Sequence, residues 1–237
     1  MNTFLPLSSE TGQGGLRDIV IVGAGGHGKD IAQLIRDINR SFPRWNLLGY
    51  MDDDPDKTGR TVNGYRVLGT TELLGREAYR DVYVVCAIGG AKARKNAVER
   101  LQRCFPHLRF PALVHPTAVV GDRTRIGAGV TVGALSVVST DVTVGDHALI
   151  HYGCTVGHDC VIEAYGSVMP GTNVSGNVTL REAAEIGANA TVLPGLEIGA
   201  YAVVGAGAVV TRPIPDRCTA VGVPARPIKM ETTACTL

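Results

Sequence analysis

Aliphatic residues recur at every sixth position through the second half of the chain, without interruption. Seventeen positions share this spacing: Val114, Val120, Ile126, Val132, Val138, Val144, Ile150, Val156, Ile162, Val168, Val174, Leu180, Ile186, Val192, Ile198, Val204 and Val210. A six-residue period matches neither the 3.6-residue period of an α-helix nor the two-residue period of a single strand. It is typical of hexapeptide repeats, whose short strands and tight corners stack into a solenoid. The spacing therefore predicts a parallel β-helix over residues 114–214.

Three hexapeptides make one 18-residue triangular coil, so the repeat supplies between five and six coils, stacked about 4.8 Å apart. Four positions after each aliphatic residue stands a small or medium residue, Cys154 and Cys160 among them. We expect both cysteines to face the narrow core. The low aromatic content of 5% and the 30 glycines agree with such a core, which has no room for rings.

The preceding part of the chain alternates short apolar segments with helical ones. We predict strands over Leu16–Val22, Leu47–Met51 and Asp81–Ile88, and helices over Lys29–Asn39 and from Gly90 to Arg103. This alternation predicts a Rossmann-like βαβ domain with a parallel sheet. The expected domains are a flexible extension at 1–15, the α/β domain at 16–113, the β-helix at 114–214 and a tail at 215–237.

Charge and segment composition exclude several classes of protein. The formal net charge is +1, with no block of basic residues, so a nucleic-acid partner is not expected. The first 15 residues lack the features of a secretion signal, and no apolar stretch approaches the roughly 18 residues of a spanning helix. The six cysteines form no CxxC pair. We therefore expect a cytoplasmic protein with reduced thiols and no membrane association.

The glycine-rich segment after the first strand, Gly23-Ala24-Gly25-Gly26-His27-Gly28, satisfies GxGxxG and opens a helix. This context favours phosphate binding by backbone N–H groups. Asp52 and Asp53 follow the second strand, but Asp53 comes 28 residues after Gly25, whereas the dinucleotide fingerprint has an acid about 20 residues on. The segment predicts a bound nucleotide rather than a redox dinucleotide. A glycine turn used only for packing, with His27 merely filling it, is the alternative.

His151, His158 and Asp159 occupy predicted corners of the β-helix. A histidine beside a carboxylate on an exposed corner could act as a general base. The alternative is a solvated histidine without a role, which is the stronger interpretation for His147 on another corner.

A zinc site is a further alternative. His115 and His151 are 36 residues apart, which is two coils, and with His158 they resemble the three-histidine site of γ-type carbonic anhydrases. The spacing from His151 to His158 is seven here, whereas that family has five. We therefore expect no metal.

Several motifs together resemble the NeuD/PglD-type sugar acetyltransferases of bacteria, over about residues 17–229. They are the segment Ile21–Lys29, the Asp52-Asp53 turn, Ala87-Ile88-Gly89 with Arg94-Lys95, His115-Pro116, Gly157-His158-Asp159-Cys160, Pro170-Gly171, Ser175-Gly176-Asn177-Val178 and Gly222-Val223-Pro224-Ala225-Arg226. The resemblance implies that the β-helix is left-handed. It also implies acetyl transfer from acetyl-CoA to an amine or hydroxyl of a sugar, commonly a nucleotide-linked amino sugar.

The resemblance further implies roles for individual residues. His158 would be the general base and Asp159 the acid that orients it. The acceptor would contact Gly25, His27, Asp52, Asp53, Gly89 and His151. Acetyl-CoA would lie between two subunits of a homotrimer, near Ser167, Gly176, Ala188, Ala206 and Arg226. A trimer that binds nucleotides without catalysis is the non-enzymatic alternative.

Three positions depart from the family pattern. His151 replaces an asparagine, Ser167 stands where some members carry a second histidine, and Gly90 replaces an asparagine. These departures predict an altered acceptor pocket.

Overall fold

The computed structural model describes residues 15–230, which form two compact units divided between Pro116 and Thr117. The predicted extension, apart from Gly15, and the last seven residues of the tail lie outside the described residues. Within residues 15–230, no helix combines the length and apolar character needed to cross a bilayer.

The first unit is a five-stranded sheet with helices, as the alternating pattern predicts. Its strands are β1 Arg17–Val22, β2 Trp45–Met51, β3 Thr61–Val62, β4 Tyr65–Gly69 and β5 Tyr83–Cys86. Their order is β3-β4-β2-β1-β5, and every pair is parallel except β3 with β4. The helices are α1 Gly26–Ser41 and α2 Ala91–Cys104, with short 3-10 turns at Pro55–Lys57, Thr71–Gly75 and Glu77–Tyr79. A two-residue strand, β6 Leu113–Val114, ends the unit.

Apolar clusters cover both faces of this sheet. One contains Ile19 and Ile21 of β1 with Ile31 and Ile35 of α1, and the other contains Val20 and Val22. Burial on both faces explains why β1 is a continuous apolar run rather than an alternating one.

One local prediction for this unit was wrong, and one element was not predicted. Helix α1 begins at Gly26, three residues before the predicted start, because the second half of the glycine segment is already helical. The β3–β4 hairpin was not predicted, although Asn63 and Gly64, with φ of +48° and +86°, form the two-residue turn that this dipeptide favours.

The second unit is a β-helix in which two-residue strands pair with strands 18 residues away. The first face contains Val119–Val120, Val137–Val138, Thr155–Val156, Asn173–Val174, Thr191–Val192 and Val209–Val210. The second face contains Arg125–Ile126, Thr143–Val144, Val161–Ile162, Thr179–Leu180 and Glu197–Ile198. The third face contains Thr131–Val132, Leu149–Ile150, Ser167–Val168, Glu185–Ile186, Val203–Val204, Cys218–Val221 and the antiparallel Arg226–Met230.

The interior matches the sequence pattern. Every repeat aliphatic from Ile126 to Val210 is buried, and Cys154 and Cys160 are both fully buried, as predicted. All five described cysteines are free thiols; Cys86 and Cys218 are also buried, and Cys104 is exposed.

Each corner of the coils turns through a left-handed backbone conformation. The third residue after every repeat aliphatic from Val120 to Val204 has a positive φ near +60°, as at Asp141, Asp159 and Asn177 with +58°, +58° and +59°. Glycine, asparagine and aspartate adopt this conformation more readily than other residues. The backbone of Asp159, and therefore the direction of its side chain, is set by its place in the repeat.

Candidate active site

The carboxyl edge of the first unit's sheet presents two helix N-termini. Gly25 precedes α1 and Gly90 precedes α2, and neither helix has a side-chain cap or an acidic residue in its first turn. Strands β1 and β5, which lead into these helices, are neighbours in the sheet. A Cβ atom added at Gly25, Gly26, Gly89 or Gly90 would meet nothing within 4 Å. Open backbone N–H groups at helix N-termini bind anions such as phosphate.

Asp52 holds the glycine loop in place. Its Oδ2 accepts hydrogen bonds from Ala24 N at 2.8 Å and from Lys57 Nζ at 3.0 Å, and its Oδ1 accepts one from Asp54 N at 3.0 Å. Burial acts to raise the pKa of Asp52, but these hydrogen bonds and the charge of Lys57 outweigh it and leave the pKa below the ordinary 3.8. The carboxylate is therefore a structural acceptor, and its contact with a ligand stays a prediction.

Asp53 joins two further segments of the same edge. Its Oδ1 accepts from Thr71 N at 2.9 Å and from Thr71 Oγ1 at 2.6 Å, and its Oδ2 accepts from Arg100 of α2. Burial again acts to raise the pKa of Asp53, and the Thr71 and Arg100 bonds lower it below 3.8 overall. Like Asp52, Asp53 braces the loops around the site, and its contact with substrate is a prediction.

Arg94 is a site residue to which the sequence pattern alone assigned no role. Its guanidinium is buried, with Nη1 donating to Ile88 O at 3.0 Å and to Gly89 O at 2.6 Å. These bonds fix the loop that carries Gly89 and Gly90. The signal in the sequence was a basic residue in the first turns of a helix that follows a glycine pair. His27 lies in the first turn of α1, with Nδ1 4.0 Å from Asp30 Oδ2.

His158 and Asp159 form a hydrogen-bonded pair on an exposed corner of the β-helix. Nδ1 of the imidazole lies 2.7 Å from Asp159 Oδ2, and the two side chains are 58% and 56% exposed. A carboxylate accepts only, so in the neutral imidazole the proton is on Nδ1 and the lone pair is on Nε2. Nε2 is the atom that is positioned to receive a proton from a substrate.

Gly176, one coil beyond His158, lies directly against the imidazole. A Cβ atom at Gly176 would sit 2.7 Å from His158 Nε2, so the ring occupies the place of a side chain. The two corners are joined by Asn177 N donating to His158 O at 2.9 Å. Within residues 15–230, the N–H of Gly176 itself has no protein acceptor. The site therefore combines a proton acceptor and an unused backbone donor.

The remaining predicted residues of the β-helix lie on a different edge. His158 and Gly176 stand where the first face meets the second, whereas His151, Ala188 and Ala206 stand where the third face meets the first. The His151 ring packs edge-to-face on Tyr152, with centroids 4.5 Å apart. Arg226 is exposed in the final strand, and Ser167 is fully buried. A buried Ser167 does not fit the predicted contact with acetyl-CoA unless the surrounding residues move.

His147 differs from the expectation of a solvated corner histidine. It is only 3% exposed and stacks on Tyr165, with centroids 5.5 Å apart and planes 8° from parallel. An aromatic neighbour on the next coil covers the ring, which the spacing of the repeat did not reveal.

The residues of the alternative zinc site have other partners. His115 Nε2 lies 3.4 Å from Asp37 Oδ2 in the first unit, and His158 Nδ1 is paired with Asp159.

Comparison with known proteins agrees with this geometry. The family described as the PglD N-terminal domain matches residues 18–101, and the bacterial transferase hexapeptide family matches residues 123–158 and 177–212. GDP-perosamine N-acetyltransferase of Escherichia coli O157:H7 is 33% identical over 204 residues, which cover 85% of this chain and 81% of that protein.

Solved structures give the same result. The acetyltransferase domain of PglB from Neisseria gonorrhoeae superposes with a TM-score of 0.82 at 32% identity, covering 90% of this chain and 100% of that one. PerB from Caulobacter crescentus, solved with CoA and GDP-perosamine, gives 0.81 at 32% identity, covering 92% and 99%. The Rossmann-like domain and the left-handed β-helix predicted from the sequence are thus confirmed. This chain belongs to the PglD-type family of hexapeptide-repeat sugar acetyltransferases.

Proposed function

We propose that this protein transfers the acetyl group of acetyl-CoA to the amine of a nucleotide-linked amino sugar. The observation that carries the proposal is the His158–Asp159 pair, whose Nε2 lone pair lies beside the unused N–H of Gly176. Acyl transfer to an amine requires both a proton acceptor and a donor for the oxyanion, and this corner supplies both.

The reaction follows from the positions of these groups. The amine attacks the thioester carbonyl while His158 Nε2 takes its proton, and Asp159 stabilises the imidazolium through Nδ1–H. The N–H of Gly176 donates to the tetrahedral oxyanion, an interaction worth roughly 3 kcal/mol per donor in other acyl-transfer sites. Collapse of the intermediate breaks the C–S bond, and His158 returns the proton to the CoA thiolate. No covalent enzyme intermediate is needed, so the buried thiols of Cys154 and Cys160 need not be nucleophiles.

The first unit supports binding of the acceptor's diphosphate. Two helix N-termini at one sheet edge, with open space above Gly25 and Gly89, suit an anionic group. By their names, relatives are a GDP-perosamine N-acetyltransferase and a UDP-N-acetylbacillosamine N-acetyltransferase, so both the nucleotide base and the sugar differ within the family. Their common class is a nucleotide-linked amino sugar, which is the acceptor that we propose here.

The separation of the predicted acetyl-CoA residues supports a homotrimer. Gly176 lies on one edge of the first face, and Ala188 and Ala206 lie on the other. Residues on two different edges of one β-helix cannot both contact the same ligand molecule. They can do so if a second subunit places its alanine edge next to the Gly176 edge of the first. We infer that acetyl-CoA lies between neighbouring subunits, with Gly176 from one and the alanine edge from the next.

A thiol-release assay with acetyl-CoA and a panel of UDP-, dTDP- and GDP-linked amino sugars tests the function. We expect His158→Ala to lower kcat by at least roughly 10²-fold, as for loss of a general base, with an unchanged melting temperature. His107→Ala, which removes an exposed histidine of the first unit, is the control and keeps full activity. Near-normal turnover of His158→Ala contradicts the role of His158.

The product distinguishes N- from O-acetylation. An amide formed at the sugar amine survives mild alkali, whereas an ester at a hydroxyl is hydrolysed, and mass spectrometry before and after treatment follows the difference. We expect an alkali-stable product.

A further inference from the structure

The interior of the β-helix contains a small set of polar side chains at one repeat position. Thr124, Ser136, Cys154, Cys160 and Thr172 all stand four residues after a repeat aliphatic, and the last four are fully buried. Each donates to the backbone carbonyl 15 residues further on. That carbonyl lies at the start of a corner in the next coil, on the same edge of the β-helix as the corner that precedes the donor. Two of the accepting carbonyls, Ser175 O and Gly187 O, are in the same peptide groups as the N–H of Gly176 and the N–H of Ala188.

Cys160 holds the corner that faces the base. Its Sγ donates to Ser175 O at 3.1 Å and accepts from Val178 N at 3.4 Å, so the thiol contacts both ends of the segment that contains Gly176. Burial raises the pKa of the Cys160 thiol, and the nearby charge of Asp159 adds to this, which keeps the sulfur protonated as a donor.

The geometry of the peptide group links the direction of the Ser175 carbonyl to the direction of the Gly176 N–H. In a trans peptide the C=O and the N–H point to opposite sides. Among the described residues the one cis peptide bond is Val223–Pro224, so the Ser175–Gly176 bond is trans. Because Ser175 O points inward to Sγ of Cys160, the N–H of Gly176 points outward, beside the His158 ring.

A restraint is needed here because glycine permits rotation of the peptide that other residues resist. The neighbouring coil cannot supply a side chain for the purpose. A Cβ atom at Gly157 would lie 2.5 Å from Gly176 N, so any residue larger than glycine would cover the donor. The side chain that restrains the Ser175–Gly176 peptide is therefore the inward-facing Cys160.

We propose that Cys160 is a positioning residue for acetyl transfer, whose buried thiol holds the Ser175–Gly176 peptide so that the Gly176 N–H faces the reacting carbonyl. This inference rests on the proposed function. It assigns the thiol no covalent chemistry.

Cys160→Val is the direct test. Valine fills the same inward position at Val142 and Val178, one coil before and one coil after, so the column accommodates it. Valine removes the donor while it keeps the apolar bulk. We expect kcat to fall by about tenfold or more, as part of the roughly 10²–10³-fold lost with a whole oxyanion donor, and KM for acetyl-CoA to change little. Cys160→Ser, whose hydroxyl can still donate, is expected to recover kcat to within about threefold.

Cys154→Val is a matched control. Cys154 occupies the same repeat position, is equally buried and donates to Met169 O at the same 3.1 Å. The nitrogen of that peptide belongs to Pro170, which has no N–H to position. We expect Cys154→Val to lose a comparable amount of thermal stability with kcat unchanged.

The outcomes separate the two proposals. A wild-type protein that releases no CoA with any amino-sugar nucleotide overturns the proposed function. An active wild type with equal kcat losses in Cys160→Val and Cys154→Val overturns the positioning role of Cys160, as does a Cys160→Ser variant no more active than Cys160→Val.

Discussion

Both units of this protein place backbone N–H groups at glycine-rich turns, yet they hold those turns by different means. In the α/β unit, charged side chains join segments far apart in sequence. Asp52 reaches Ala24 across 28 residues, and Asp53 reaches Arg100 across 47. In the β-helix, most backbone hydrogen bonds between coils span 17 or 19 residues, and small buried hydroxyl and thiol groups donate across 15.

Because of this difference, we expect the α/β unit to be sensitive to pH and the β-helix to be sensitive to the size of its residues. A site held by carboxylates depends on their ionisation and therefore on pH. A site held by stacked coils depends on the size of the residues at the close approaches, because little space separates one coil from the next.

The largest expected effect concerns close packing in the α/β unit. A Cβ atom at Gly28 would lie 2.2 Å from Gly23 O, a backbone atom that cannot easily move, whereas one at Gly25 meets nothing within 4 Å. We expect Gly28→Ala to destabilise the protein by about 2–3 kcal/mol, since overpacking exceeds the roughly 1 kcal/mol that alanine adds to helix propensity. Denaturant unfolding measures this.

Gly25→Ala is the control for that change. We expect it to unfold like the wild type, and its methyl group, standing over the N-terminus of α1, to weaken nucleotide-sugar binding in a calorimetric titration. Equal stability losses in the two variants would mean that the glycine loop is limited by backbone conformation rather than by space.

A smaller effect is expected from Gly176→Ala in the β-helix. The new methyl group would lie 2.7 Å from His158 Nε2 and displace the ring from its place beside the Gly176 N–H. Because a side chain on an exposed corner can move, the fold should survive, and kcat should fall by roughly 10- to 100-fold, as for a misplaced general base. Full activity with an unchanged melting temperature would contradict the position assigned to the imidazole.

The smallest effect is the acid sensitivity of the α/β unit. The folded-state pKa values of Asp52 and Asp53 lie below the ordinary 3.8. Their contribution to stability is complete above that ordinary pKa and is lost as the pH falls through the lowered folded values. We expect Asp52→Asn to be less stable than the wild type at pH 7, by about 1 kcal/mol, and the difference to shrink below pH 4. Unfolding curves across pH 2–7 test this, and a difference that does not depend on pH would show that charge is not the cause.

The α/β unit shows where sequence patterns are insufficient. Asp52 and Asp53 were recognised as a pair after a strand, but the pattern could not show that Ala24, Lys57, Thr71 and Arg100 already occupy their oxygens. Those partners come from four segments, and only the folded sheet brings them to one edge. Arg94 was visible as part of a motif, and its burial under Gly89 was not.

In the β-helix, the positions of most candidate site residues followed from the six-residue spacing. The six-residue period places His158 and Asp159 on a corner and Cys160 in the core, because identical geometry repeats at each hexapeptide. It did not reveal that Tyr165 covers His147, since contacts between side chains on successive corners depend on rotamers.

The sequence by itself determined the solenoid, the α/β fold before it and the identity of the histidine and acid at the exposed corner. These follow from periodicity and local spacing, which each segment carries regardless of its neighbours. The tertiary structure decided which backbone groups are free to meet a substrate. That depends on where each carbonyl and N–H points once the coils stack. At Gly176 the carbonyl of the same peptide, Ser175 O, accepts from the inward-facing thiol of Cys160, fifteen residues before Ser175.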